Sequence, residues 1–173
     1  MAQLMFTAIG SDKPGLVGEF TGHLHAGGAN ILDSRMVNLR GQFAIILLIE
    51  AADTPLAKLR HELPTLARHL GLNVLIADHA VTAPVVSGLP FKLKTYSLDQ
   101  PGLVHKITGV LRAYGVNIEE LQARQESAAF AGGTLFVMEM RLTVPGDVAV
   151  RKLRAELEKQ AETLNCDLDL VPA

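Results

Sequence analysis

The sequence contains no tryptophan, two tyrosines and six phenylalanines. Any core must therefore be built mainly from Leu, Val, Ile, Met and Ala. A single cysteine, Cys166, excludes an intramolecular disulfide and suits a cytoplasmic compartment. Neither sign of charge dominates: 16 Lys and Arg stand against 18 Asp and Glu, a net charge of −2. No run of basic residues supplies the footprint that phosphate binding demands, so no direct nucleic-acid contact is expected. The longest apolar stretch, Phe43 to Ile49, is too short to cross a bilayer. The first residues lack the basic start and long apolar run of a secretory signal. The reading is a cytoplasmic protein with no membrane segment.

Catalytic signatures are missing as well. There is no phosphate loop, dinucleotide glycine fingerprint or G-x-S-x-G elbow. His23 and His25 lie two apart on a predicted helix and do not share a face. His61 and His69 lie eight apart, too far for one ion, and His79 and His105 have no partner at ligand spacing. Neither a metal site nor a cofactor is expected. Glu119 and Glu120 should alternate across a strand rather than converge. Cys166 reads as a small buried hydrophobe. No catalytic residue can be named, and the chain is read as a non-enzyme.

What the sequence does hold is a repeat. Residues 12–31 read DKPGLVGEFTGHLHAGGANI and residues 99–118 read DQPGLVHKITGVLRAYGVNI, identical at twelve of twenty positions at an offset of 87 (99 − 12). A second match, Lys58 to Leu63 with Lys152 to Leu157, has an offset of 94 (152 − 58), so copy two carries seven extra residues. Their natural place is a longer hairpin loop around Glu126 to Gly133. Pro84, Ser87, Gly88 and Pro90 mark an extended connector. The expected division is residues 1–82 for the first domain, 83–90 for the linker and 91–173 for the second domain.

Each copy shows the same periodicities. Gln3 to Gly10 alternates as a strand. Pro14 suits the first helical position, and Leu16, Val17, Phe20 and Leu24 form one apolar stripe ended by Gly27-Gly28. Asn30 to Leu39 and Phe43 to Glu50 read as strands around a turn at Arg40-Gly41. Leu56, Leu59, Leu63, Leu66 and Leu70 form a second helical stripe, and Asn73 to Val81 a last strand. In copy two, Phe136, Met138, Met140, Leu142 and Val144 alternate with Glu139, Arg141 and Thr143. The order βαββαβ predicts an α+β fold: two ferredoxin-like domains, each a four-stranded antiparallel sheet with two helices on one face. RNA-recognition domains share that order, but they need exposed aromatics where this chain has Glu139 and Arg141. Phe43 to Ile49 is apolar on both faces, so the open face of copy one should be covered either by the other copy or by a second chain, and only the second arrangement makes a homo-oligomer.

The segments D-x-P-G-L-V and G-x-N-I, each in a βαββαβ context, resemble the ACT domain, a small-molecule-sensing module. A chain of two such domains is similar to the family of regulatory proteins of the bacterial glycine cleavage system. The resemblance implies a repressor of glycine cleavage operon transcription that acts on a transcriptional activator protein and not on DNA. It also implies an amino-acid effector, glycine in that family. The ligand residues implied are Asp12, Gly15 and Asn30 in copy one, and Asp99, Gly102 and Asn117 in copy two. A helix start offers free N–H groups to a carboxylate, and an aspartate can receive an ammonium group. The alternative roles are structural: Asp12 and Asp99 can stabilise the helix start, and Asn30 and Asn117 can serve the turn after a helix. Gly22 and Gly109, inside helices, are expected to mark tight packing. A regulatory amino-acid-binding subunit of a metabolic enzyme is the alternative function.

Overall fold

The structure, a computed structural model, describes residues 2–78, 87–127 and 133–173. His79, part of the expected linker and most of the expected longer hairpin loop lie outside the described residues. The chain divides into two compact units, Met1–Ala83 and Pro84–Ala173. The first contains β1 (Ala2–Ser11), α1 (Leu16–Ala26), β2 (Asn30–Leu39), β3 (Gln42–Ala51), α2 (Asp53–His69) and β4 (Leu72–Asp78). The second contains β5 (Gly88–Leu98), α3 (Leu103–Ala113), β6 (Asn117–Ser127), β7 (Thr134–Pro145), α4 (Val150–Thr163) and β8 (Cys166–Pro172). Gly88 to Pro90 thus belong to a strand.

Both sheets are four-stranded and antiparallel, in the orders β2-β3-β1-β4 and β6-β7-β5-β8. The βαββαβ order therefore occurs twice, as the periodicities required. Strand alternation decides which face meets the helices. In unit one, Leu4, Phe6 and Ala8 of β1 and Phe43, Ile45, Leu47 and Ile49 of β3 are buried on one side. Leu16, Phe20 and Leu24 of α1 and Leu56, Leu59 and Leu63 of α2 close over them, and the Phe6 and Phe20 rings meet at 5.0 Å. In unit two, Leu93, Met138, Met140, Leu142 and Val144 pack beneath Leu103, Ile107 and Leu111 of α3 and Leu153 and Leu157 of α4.

The glycine expectation needs correction. A methyl group at Gly22 or Gly109 would meet nothing within 4 Å. Of the glycines within and flanking α1, the crowded one is Gly27, where a Cβ would sit 2.6 Å from the Leu59 side chain. Helix α1 thus ends directly on α2, and the repeated interior glycines are not packing contacts.

Two stability tests follow from this packing. Gly22→Ala and Gly109→Ala should each raise the melting temperature, by the equivalent of roughly 0.5–1 kcal/mol, because helical Gly costs about that against Ala. Phe20→Ala should cost about 3–5 kcal/mol in chemical denaturation. A destabilised Gly22→Ala protein would show that the position is crowded after all.

Candidate functional site

Each unit passes from its first strand to its first helix through four residues, Asp12–Gly15 and Asp99–Gly102. Gly15 and Gly102 adopt left-handed φ values of 95° and 92°. A side chain there costs about 1–2 kcal/mol, which explains the glycine in both copies. The glycine carbonyl accepts the first helical bond, from the N–H of Glu19 at 2.9 Å and of Lys106 at 2.9 Å. No side chain caps either helix. The N–H groups of the first turn therefore remain available at the positive end of the helix dipole. Pro14 stands one residue before the glycine cap, not at the first helical position, because the helix begins at Leu16.

Asp12 and Asp99 do not cap these helices either. Their backbone N–H groups donate to the carbonyls of Gly41 at 2.8 Å and Thr134 at 3.0 Å, tying each loop to the following hairpin. Their carboxylates are held from the edge strand. The Asn38 amide donates to Asp12 and accepts from the Gly41 N–H at 3.1 Å. The Gln125 amide donates to Asp99 at 2.6 Å. Asn38 and Gln125 stand at the repeat offset of 87, so the duplication has kept an amide-held aspartate in each copy. The sequence reading missed both amides. Their signal was an amide side chain at one repeat position in two otherwise diverged strands.

Beside the first loop lies a shallow concavity of about 340 Å³, lined by residues 12–18 with Met36 and Phe43. Asp12 and Gly15 share it. Asn30 does not: Asn30 pairs with Glu50, which pairs with Gln3, whereas Asp12 follows Ser11 at the other end of β1. Eight strand residues separate the two ends, about 26 Å. Asn117 lies at the corresponding end of the second sheet, paired with Thr143. The two helix starts also differ in charge. Gly18 and Glu19 of the first turn in α1 are replaced by His105 and Lys106 in α3, making the second start more electropositive.

A bulge interrupts β2 between Ile31 and Asp33 and β6 between Ile118 and Glu120, so Leu32 and Glu119 are the extra residues. This corrects the expected alternation at Glu119-Glu120. Both carboxylates reach the open face, each with its own partners. Glu119 accepts from Asn117 at 2.6 Å and Thr143 at 2.9 Å, while Glu120 meets Arg141 at 3.2 Å. The hydrogen bond from Asn117, then that from Thr143, holds the Glu119 carboxyl below the usual glutamate range.

Cys166 is partly buried against the second core, and burial pushes its thiol pKa up. A raised pKa suppresses the thiolate, the opposite of an activated nucleophile. Among the described residues, no group of three His, Cys, Asp or Glu side chains could hold a metal ion. Among them too, no helix is long and apolar enough to cross a membrane.

The family model described as the ACT domain matches residues 2–77 and again 98–171. The glycine cleavage system transcriptional repressor of Escherichia coli is 32% identical over 127 residues, 72% of this chain. That match spans 66% of the repressor, just under two thirds of its length. A crystal structure of an unknown protein from Galdieria sulphuraria, 29% identical, superposes with a TM-score of 0.84 over 99% of this chain and 98% of its own. A second crystal structure, of a candidate glycine cleavage system transcriptional repressor, has a TM-score of 0.73 at 20% identity and covers 99% of this chain and 98% of its own. At that identity the likeness shows the fold alone.

Asn38→Ala should cost roughly 1 kcal/mol in chemical denaturation and speed amide exchange at Asp12, because one hydrogen bond stitching the loop to the hairpin is lost. Unchanged exchange would show that the amide does not hold the loop. A carboxyl NMR titration should place Glu119 below the ordinary value and move it back up in Asn117→Ala. Because its folded pKa lies below its unfolded one, the stability it contributes is present above the ordinary carboxylate range. That contribution is lost as pH falls through the folded value.

Proposed function

The chain belongs to the ACT-domain family, and from that membership we propose that it is a non-catalytic regulator whose helix-start loops take a small amino acid. The observation that carries the reading is the uncapped helix start beside an amide-held aspartate, built twice. Such a site is complementary to a zwitterion. The ligand carboxylate would sit on the N–H groups of residues 16–18, and its ammonium on Asp12. Gly15 lets the backbone approach closely. Asp99 and Gly102 would serve the second loop in the same way. Asn30 and Asn117 are left out of these ligand shells, because each stands at the far end of its own sheet.

The regulated process is proposed from the relative. The similarity to the Escherichia coli repressor supports repression of glycine cleavage genes. The balanced charge and the lack of a basic run support action through a protein partner; the resemblance alone makes that partner a transcriptional activator and the effector glycine. The shallow first pocket suits a ligand with little or no side chain.

A thermal-shift panel of the twenty amino acids tests the sensing half. Glycine should raise the melting temperature, since a ligand that binds only the native state adds about 2.7 kcal/mol at 100 times its Kd. Asp12→Ala or Asp99→Ala should reduce the shift, and Asn30→Ala should leave it intact. No shift with any amino acid would sink the sensing role. Affinity capture tests the other half: recovery of a metabolic enzyme in place of a transcriptional activator would replace the repressor reading with that of an enzyme's regulatory subunit.

A further inference from the structure

The duplication has kept the buried face of the sheet mainly apolar, Thr95 and Ser97 excepted, and rewritten the open one. In unit one the open face pairs Met5 with Leu48, Thr7 with Ile46 and Ile9 with Ala44, and Leu75 flanks Thr7 on β4. Ile9, Ile46 and Leu75 are 51%, 46% and 69% exposed. At the corresponding positions of unit two, Lys92 pairs with Arg141, Lys94 with Glu139 and Tyr96 with Val137, and Asp169 flanks Lys94. Apart from the Tyr96–Val137 pair, that stretch of the face is charged, with Lys94 at 3.1 Å and Arg124 at 3.5 Å from Glu139. One copy therefore presents water with charge, and the other presents it with aliphatic side chains.

The apolar face is organised as an interface is. Its centre carries no charge. Its rim is polar: Gln3 donates to Glu50 at 3.3 Å at one end, and Arg35 meets Asp33 at 2.6 Å along the edge strand. An apolar centre with a polar rim is the usual anatomy of a docking surface. Charge selects the occupant. A face like that of unit two would have to bury its lysine, arginine and carboxylate groups against hydrocarbon, with a heavy desolvation cost. Of the two open sheet faces in the chain, the one of matching character is the same face on another copy.

We propose that two copies of this chain dimerise through the open sheet faces of their first units, packed about a two-fold axis. Such a contact is isologous and needs only self-complementarity, which an uncharged aliphatic sheet provides. Four strands of up to ten residues cover about 600 Å² at roughly 3.3 Å per residue and 4.8 Å between strands. Two copies would bury about 1,200 Å² together, above the roughly 1,000 Å² that a specific interface needs. This goes beyond the sensing proposal and does not depend on it.

The test is sedimentation equilibrium of the full chain beside the double variant Thr7→Lys/Ile46→Glu. That pair transplants the Lys94–Glu139 arrangement of unit two onto unit one, so the fold is expected to accept it, and far-UV circular dichroism checks that it does. The native chain should be a dimer and the variant a monomer at the same concentration. A second readout uses Ile46→Cys in a Cys166→Ser background, treated with a bismaleimide long enough to span the roughly 10 Å between packed sheets. It should yield a covalent dimer. A monomeric native chain overturns the proposal. So does a dimer that survives the double variant, or one in which Lys92→Cys cross-links and Ile46→Cys does not.

Discussion

Everything in this chain depends on covering one face of each four-stranded sheet with two helices. The burial of Leu4, Phe6, Ile45 and Leu47 beneath Phe20, Leu24, Leu59 and Leu63 fixes strand register, because a slip of one residue would turn that row to water. The same requirement directs the chain from β1 back over the sheet as α1. The reversal must occur within four residues, and a left-handed glycine makes it. The helix start left open by that glycine then becomes a place for an anion. Core packing and the candidate site are thus joined by a single turn.

Duplication separates what the fold needs from what function is free to alter. The helix-facing rows remain mainly apolar in both copies, with Thr95 and Ser97 the buried exceptions where copy one has Ala8 and Gly10. The glycine turn and the amide-held aspartate also remain, although Asn38 has become Gln125. Most of what changes lies away from the core. Glu19 gives way to Lys106 at the helix start, and an apolar open face gives way to Lys94, Glu139 and Arg141. Two loops with the same backbone therefore present different charge to a ligand. Two sheets with the same topology present different chemistry to a partner.

Most of the fold was legible in the sequence because it rests on period and spacing. The twelve matched positions announced two copies, and the leucine stripes and the strand alternation of Phe136 to Val144 assigned their faces. What was not legible rests on local geometry that period does not encode. The bulges at Leu32 and Glu119 bring Glu119 and Glu120 to one face, against simple alternation. Pro14 looked like a first helical residue, but the glycine after it takes the cap. Gly22 and Gly109 recur without any crowding, and the packed glycine beside α1 is Gly27, whose repeat counterpart is Tyr114. Asp12 and Gly15 were legible as a pair because they are three residues apart. Asn38 was hidden because it reaches Asp12 across 26 residues of chain. Asn30 was grouped with them by motif alone, and the parallel course of β1 and β2 carries it to the other end.

An effector seated on the helix-start loops must register in their backbone amides. The most direct measurement is a two-dimensional amide NMR titration of the full protein with glycine. Perturbations should concentrate at the amides of residues 12–18, residues 99–105 or both, with the ends of the sheets near Asn30 and Asn117 unmoved. Saturable perturbations centred elsewhere, or none up to millimolar glycine, would rule out these loops as the effector site.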